Sequence, residues 1–263
     1  AVLTLIALTA ALAPLLSPHD PMEQDITRRL LPPVWLGGVP EYPLGTDGVG
    51  RDVLSRLIYG SRVSLLVGLS TTALAGLVGV SLGLAAGYFG GGVDALLSRL
   101  SDVQQAVPFL VLALAVVALV KPGLLNLIAV LTVTTWVNYF RVIRGAVLAA
   151  REEEYVWAAR ALGCGDARLI LCHILPNVAG PAVVVATLLM ANVIIFEASL
   201  SFLGLGVPRS LPTWGRSVAD GRDYLVSAWW IALFPGLAIM TTVAAINLLG
   251  DWLRDRLNPW RRR

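Results

Sequence analysis

Long apolar runs separated by polar stretches dominate this chain and predict a bundle of membrane-spanning helices. A helix needs about 20 mostly apolar residues to cross the hydrocarbon core of a bilayer. The runs that approach or reach this length predict spans over about 1–16, 64–86, 103–120, 124–140, 182–203 and 224–250. The pattern therefore predicts an all-α, polytopic membrane helix bundle with about six transmembrane helices.

The first two segments leave alternatives open. Residues 1–16 are slightly short for a span, so we expect the natural amino terminus to lie upstream, with a cleaved signal peptide as the alternative. Residues 17–62 are polar and rich in Pro, Gly and Asp. Near their end, Val53, Leu54, Leu57 and Ile58 share one helical face. This run is either a short helix at the membrane surface or part of a simple tether between two spans.

The polar stretch from 150 to 181 has a helical pattern and differs from everything around it. A helix is predicted from Tyr155 to Leu162, and Gly163 and Gly165 interrupt it. Asp166 is placed to cap a second helix, predicted from Ala167 to Leu175 and ended by Pro176. A membrane protein that carries a helical hairpin in an aqueous loop is expected to touch a partner there.

Composition agrees with a membrane protein. Hydrophobic residues make up 57% and charged residues 14% of the 263 positions, whereas soluble domains carry about 25% charged residues. The net charge of +3 comes almost entirely from arginine. Because no basic stripe is interleaved with aromatic residues, nucleic acid is not predicted as a partner; the lipid bilayer is.

Two local patterns suggest chemistry but have simpler explanations. Cys164 and Cys172 lack the second ligand pair that a metal site with a neighbouring histidine would need, so we expect free, reduced thiols and no metal. Gly79, Ser81 and Gly83 match a nucleophile-elbow pattern, but they lie within a span and no base is near.

The spacing of three glycines and a carboxylate inside a predicted span are more informative about helix packing and function. Gly79, Gly83 and Gly87 recur every four residues, which is typical of a helix face that packs closely on another helix in a membrane. Glu197 lies inside a predicted span. Because such a carboxylate is costly, Glu197 either lines a translocation path or makes an inter-helix hydrogen bond or lies near the outer interface.

The hairpin resembles the "EAA" loop of permeases from ATP-binding cassette (ABC) importers. The pattern is Glu-Ala-Ala, three residues, Gly, nine residues, then Ile-x-Leu-Pro; here Ala158, Ala159, Gly163, Leu175 and Pro176 keep the spacing. Two positions depart from it, because Trp157 stands in place of Glu and His173 in place of Ile. The variant is similar to the C-type permease of dipeptide, oligopeptide and nickel importers.

Two further segments resemble the same family, in the same order along the chain. One is Leu-Gly-Thr-Asp-x-x-Gly-Arg-Asp at 44–52, before the second span, and the other surrounds Glu197. The resemblance implies the type I ABC importer permease architecture and one half of a translocation path. It also implies a second homologous permease, two ABC ATPase subunits and an extracytoplasmic substrate-binding protein as partners.

In such an assembly the hairpin couples ATP hydrolysis to transport. The residues expected to contact or shape the ATPase interface are Ala158, Ala159, Arg160, Leu162, Gly163, Gly165, Asp166, Leu175 and Pro176. The chain itself binds no cofactor on this reading, because its only lysine, Lys121, is followed by Pro122 and not by the Ser or Thr of a phosphate-binding loop. ATP and Mg²⁺ belong to the partner ATPases, and this subunit is not an enzyme.

The arginines that follow the fourth and sixth spans predict the orientation. Arg141 and Arg144 come directly after the fourth span, and positive residues favour the cytoplasmic side. We expect one transmembrane domain over 1–263 in a bacterial inner membrane, with 17–62 periplasmic. The coupling loop, 141–181, the tail, 251–263, and both termini are expected to be cytoplasmic.

The substrate class and two other functions stay open at this level. Peptides are the solute that the resemblance favours, while nickel, glutathione or another small solute would use the same type of complex. An ion-coupled carrier or channel would need several buried ionisable groups, and only Glu197 qualifies. An intramembrane enzyme would need a second catalytic group in a span, and none stands out beside Ser81.

Overall fold

The computed structural model describes residues 1–119, 123–208 and 210–257, and within these residues the chain is helical, with a single isolated β-bridge between Thr46 and Asp52. The helices are α1 (Val2–Ala11), α2 (Ala13–Leu16), α3 (Val53–Phe89), α4 (Gly91–Ala106), α5 (Phe109–Leu119), α6 (Leu124–Ala150), α7 (Glu154–Ala161), α8 (Asp166–Arg168), α9 (Leu175–Phe202), α10 (Trp214–Gly221) and α11 (Trp230–Leu257). Short 3-10 turns cover Ile26–Arg28, Val34–Leu36 and Arg222–Tyr224, and a π-helical segment covers Leu169–Ile174.

Four helical stretches of the described residues are long and apolar enough to cross a membrane, or five when the bent pair α4 and α5 counts as one span. They are α3, α6, the continuous stretch Asp166–Phe202, and α11. Five of the six predicted spans therefore correspond to a helix or helix pair. In the first segment α1 has 10 residues, or about 15 Å of helix, which is less than the hydrocarbon thickness of about 30 Å.

The predicted surface helix at Val53 is not separate, because α3 runs unbroken for 37 residues. That length is about 55 Å at 1.5 Å per residue. Gly60 is the one weak helix former between the two predicted parts, and a side chain there would lie 2.9 Å from the Trp214 ring. The glycine therefore makes room for an aromatic neighbour and does not end the helix.

The predicted third span begins in the wrong place. Helix α4 ends at Ala106, and Val107 is extended with φ −95° and ψ 125°, because the ring of Pro108 disfavours the helical conformation of the residue before it. Helix α5 follows from Phe109, at 91° to α4. The predicted end of this span, at 120, lies outside the described residues.

Helix α6 continues past its predicted end at Phe140 as far as Ala150. The two arginines expected beyond the helix are part of it, and each pairs with a carboxylate on α4. Arg144 pairs with Asp94 through two nitrogens, and Arg141 Nη2 lies 2.7 Å from Asp102. Helix α11 likewise starts at Trp230 and runs into the predicted tail as far as Leu257; 258–263 lie outside the described residues.

The described chain divides into two compact units. The first comprises Ala1–Ser70, Val117–Ala129 and Ala191–Ile246, and the second comprises Thr71–Val116, Val130–Met190 and the described part of Asn247–Arg263. In the first unit Val53, Ala228, Trp230 and Ile231 form a buried apolar cluster. The core of the second unit lies beneath the helical hairpin and is described with it.

The glycine face of α3 packs on α6 within the second unit. A side chain at Gly83 would place its Cβ 3.0 Å from Ile143 Cβ, and one at Gly87 would lie 2.7 Å from Val147 Cβ. A Cβ at Gly79 would overlap the carbonyl of Trp136. The repeat every four residues thus lets the two backbones approach more closely than any side chain would allow.

Candidate functional site

The candidate site is the helical hairpin formed by residues 154–175, between α6 and α9. Helix α7 buries Val156 and Ala159 and leaves Trp157 and Ala158 exposed. Buried residues three apart on an eight-residue helix form one inward face. Of the two alanines in the motif, Ala159 is therefore a core residue, and Ala158 lies on the outer face.

The turn after α7 is a Schellman motif. Gly163 has φ +83°, and its N–H donates to the carbonyl of Arg160 at 2.9 Å. The next N–H, of Cys164, donates to the carbonyl of Ala159 at 3.1 Å. These two bonds satisfy carbonyls at the end of the helix, and the left-handed conformation between them favours glycine. Gly165 follows in an extended conformation as the N-cap of α8.

The second predicted helix differs from the structure, because Pro176 does not end it. Asp166 opens the α-helical turn α8, the π-helical segment Leu169–Ile174 follows, and α9 begins at Leu175 without a break in the helical path. Proline lacks an N–H and its ring crowds the preceding helical turn. The wider π-helical turn before Pro176 relieves this conflict, so the hairpin leads directly into the membrane helix.

Side chains from α3 and α6 form the base on which the hairpin rests. The cluster contains buried residues of α7, of the π-helical segment and of α9. Its buried members are Leu84, Tyr88, Ile143, Val147, Val156, Ala159, Leu169, Ile174 and Val178. Leu175 packs against the same cluster. Because both arms of the hairpin contribute to this core, their relative position is fixed by apolar packing.

Tyr88, near the carboxyl end of α3, holds both arms through polar contacts. Its hydroxyl donates to Asp166 Oδ1 at 2.5 Å. The Arg160 guanidinium lies over the Tyr88 ring at 5.9 Å and over the Trp157 ring at 5.5 Å. Arg160 and Asp166, expected from the sequence to face a partner, are thus already engaged by the chain itself. No sequence pattern indicates Tyr88.

Two more contacts hold the ends of the hairpin. Before α7, Arg151 Nη1 donates to the carbonyl of Gly87 at 2.9 Å. On the far side, Asn177 Nδ2 donates to the Tyr155 hydroxyl at 3.0 Å. Partial burial, and secondarily the negative charge of Glu153, raise the pKa of Tyr155.

The exposed surface of the hairpin carries three large apolar side chains among its charged ones. Leu162 is 86% exposed, Leu171 59% and Trp157 53%. Trp157 lies on α7, Leu162 directly precedes the turn at Gly163, and Leu171 lies in the π-helical segment after it; we call these three side chains the apolar knob. Exposed large side chains at the tip of a well-anchored loop are typical of a protein-binding surface.

Glu197 lies in a separate part of the chain, in the first unit. It is 1% exposed, and its Oε1 accepts hydrogen bonds from Ser201 at 2.8 Å and from Thr213 at 2.9 Å. Thr213 is also the N-cap of α10, since it accepts from Arg216 N at 3.0 Å. The geometry matches the inter-element hydrogen bond that the sequence allowed, and joins α9 to the start of α10.

The remaining predicted groups have simple environments. Cys164 and Cys172 are free thiols. The hydroxyl of Ser81 donates to the Leu77 carbonyl of its own helix at 2.7 Å. Among the described residues there is no cluster of His, Cys, Asp and Glu that could hold a metal ion. The hairpin is thus the feature of the described chain with the clearest binding character.

Residues 79–263 match the family described as the inner membrane component of binding-protein-dependent transport systems, and residues 1–33 match the N-terminal transmembrane domain of oligopeptide transport permease C. With most of its length matched, the chain belongs to the family of binding-protein-dependent transport system inner membrane components, and it is a multi-pass membrane protein. This family is the one that the hairpin motif indicated.

Three similar proteins are peptide transport permeases. The chain is 45% identical over 256 residues to the di/tripeptide transport system permease protein DppC of Pseudomonas aeruginosa, covering 97% of this chain and 84% of that protein. It is 41% identical to the dipeptide transport system permease protein DppC of Haemophilus influenzae, over 97% of this chain and 87% of that one. The corresponding protein of Bacillus subtilis is 39% identical over 100% of this chain and 81% of its own length.

The fold resembles a solved transporter. A chain of the MetNI methionine ABC transporter, in an inward-facing conformation, superposes with a TM-score of 0.65 at 16% identity. The match covers 77% of this chain and 96% of that one. At this identity the likeness establishes the fold, which is that of an ABC importer permease.

Proposed function

We propose that this chain is one permease subunit of an ATP-driven importer of di- or oligopeptides, and that its helical hairpin couples the permease to an ATPase. The observation that carries the proposal is the apolar knob, which is exposed at the tip of a hairpin whose base is buried. A rigid, exposed knob can enter a groove of a partner and pass a movement of that partner to the membrane helices. The named relatives support peptides as the solute.

The proposal assigns the other parts of the transport cycle to partners. Two ATPase subunits bind ATP and Mg²⁺, a second homologous permease completes the path, and a binding protein delivers the solute. In this arrangement the hairpin and both termini face the cytoplasm, and residues 17–62 face the periplasm. Within the hairpin, Ala158 and Leu162 contact the ATPase. Gly163, Gly165 and Pro176 set the shape that the ATPase meets.

Purification from native membranes, with mass spectrometry of the partners, tests the assembly. Reconstitution of that complex tests coupling, measured as peptide imported per ATP hydrolysed. We expect Leu162→Asp to lower this ratio strongly without unfolding the permease, because the side chain is 86% exposed and its loss removes no core contact. Peptide import without ATP, by the chain purified alone, would instead favour a carrier.

Val226→Asp is the matched control, because it places the same charge on a side chain that is 99% exposed and lies outside the hairpin. Equal effects of the two variants would mean that the loss at Leu162 is a general effect of surface charge, and the coupling role of the knob would then be rejected. A loss confined to Leu162→Asp supports it.

A further inference from the structure

Five charged side chains of the first unit form one connected network between the start of α3 and α10. Arg51 Nε lies 2.6 Å from Asp47 Oδ2, and Arg51 Nη2 lies 2.9 Å from Asp220 Oδ2. Arg56 Nη2 reaches the same Asp220 oxygen at 3.0 Å, and Arg216 Nε lies 3.0 Å from Asp220 Oδ1. The motif at 44–52 thus supplies two of the five members, α10 supplies two, and Arg56 of α3 is the fifth.

The network carries one more positive charge than negative charge, since three arginines meet two aspartates. The Arg56 side chain is 3% exposed, and its Nη1 is buried without a hydrogen-bond partner among the described residues. Removing a cation from water without a compensating anion is costly. A network with this surplus, if it borders an open space, is suited to receive one further anionic group.

Such a space borders the network. A cleft of about 660 Å³ is lined by all of its members except Arg56, together with Gln24 and Tyr224. This volume is in the range of small-molecule sites, about 300–1,000 Å³. The other charged residues in the described part of the lining, Arg222 and Asp223, pair with each other at 3.1 Å. The described lining therefore holds three arginines and three aspartates, which suits a solute that carries both signs of charge, and the surplus positive charge of the network is that of Arg56, outside the lining.

We propose that this cleft binds the carboxylate of a small zwitterionic solute, with Arg51 and Arg216 as the cations that face it. The concave shape favours a small molecule over the acidic side chain of a docked protein. As a subsite of the import path, the cleft rests on the proposed function; as a carboxylate site, it rests on the network alone. Arg216 reaches Asp220 through Nε, so its terminal nitrogens are not used by that ion pair.

Saturation-transfer NMR on the complete importer in nanodiscs, without binding protein, tests this. The probes are dialanine and dialaninamide, which differ in the carboxylate. We expect dialanine to bind about tenfold more tightly than the amide, since a charge-assisted hydrogen bond is lost with the amide. Arg216→Gln should abolish this preference, and Arg216→Lys, which keeps the charge, should restore part of it.

Arg28→Gln is the control, because Arg28 pairs with Glu41 outside the cleft lining and should leave the preference unchanged. Equal binding of the two probes by the wild-type complex would overturn the proposal, and so would a preference that survives in Arg216→Gln. A preference that appears only when binding protein is added would also overturn the proposal, because the binding protein and not the cleft would then recognise the carboxylate. Peptide import, measured separately, judges the proposed function: a cleft preference without import would reject peptides as cargo and retain the site.

Discussion

Tyr88→Phe separates the polar link at the base of the hairpin from its packing. The substitution removes the hydroxyl that donates to Asp166 at 2.5 Å and leaves the ring, over which Arg160 lies at 5.9 Å. A hydrogen bond to a carboxylate contributes about 1.5–3 kcal/mol when buried. Because Asp166 is exposed, we expect about 1 kcal/mol here. That corresponds to an increase of about fivefold in the population of the opened hairpin.

Hydrogen exchange of the amides in α7 and α8, in the purified complex, measures this population directly. Exchange there should rise about fivefold in Tyr88→Phe, while the amides of α10 in the other unit keep their rate. If the hairpin couples the permease to an ATPase as proposed, the number of peptides imported per ATP should also fall, since a hairpin that opens at its base would transmit less movement. The binding of ATP itself should not change.

A double-mutant cycle with Asp166→Asn tests the pairwise origin of the effect. If the hydroxyl acts through Asp166, the second substitution should add little to the first, with a coupling energy of about 1 kcal/mol. Additive effects would contradict the reasoning. So would unchanged exchange in Tyr88→Phe, because the apolar cluster alone would then hold the hairpin.

Three further predictions concern other positions. Gly163→Ala should lower the number of peptides imported per ATP, because alanine is strained by about 1 kcal/mol in the left-handed conformation. It should not clash, since a Cβ at this position meets nothing within 4 Å. Gly163→Asn should be tolerated better, and equal import ratios for the wild type and both variants would exclude a role for this conformation. Gly83→Val should lower the thermal unfolding midpoint, because overpacking costs about 1–3 kcal/mol. Gly145→Val should lower it much less, since a Cβ at Gly145 meets nothing within 4 Å. Similar shifts in the two variants would contradict the packing of the glycine face. Glu197→Gln keeps an acceptor for Ser201 and Thr213, so this variant should stay folded and transport at a rate within about twofold of wild type. Glu197→Leu should lower the free energy of unfolding by about 1–3 kcal/mol. A loss of transport in the Gln variant at unchanged stability would indicate that Glu197 lines the path.

Local signals predicted much of the hairpin. Helix α7 is predicted to begin at Tyr155 and begins at Glu154. The prediction is close because the amphipathic pattern of the helix is local, and because Gly163 ends the helix through its own backbone preference. The predicted end of the second helix at Pro176 is wrong, since proline normally interrupts a helix and here it does not. The π-helical segment that accommodates it depends on which residues of 169–174 the core buries, and a linear pattern does not reveal that.

Contacts between distant parts of the chain could not be predicted from sequence. Tyr88 and Asp166 are 78 residues apart, and Arg51 and Asp220 are 169 apart. The residues next to each of these side chains in the sequence do not indicate which distant residue it contacts. The bend between α4 and α5 has a cause that is visible in the sequence, Pro108. The apolar run around it approaches the length of a span, so the hydropathy pattern predicts one continuous helix where the structure has two.

The departure at Trp157 changes the charge of the hairpin and keeps its shape. A glutamate at this position would lie three residues before Arg160 and could form an exposed ion pair of about 0.3–0.5 kcal/mol. Here the guanidinium lies 5.5 Å from the centre of the Trp157 ring, and an exposed cation–π contact contributes about 0.5–1 kcal/mol. Arg160 is thus held over the same face of α7 by a different force of similar size. The outer surface loses a negative charge and gains apolar area, so a groove that receives this hairpin must match a more apolar and more positive surface than the glutamate pattern presents.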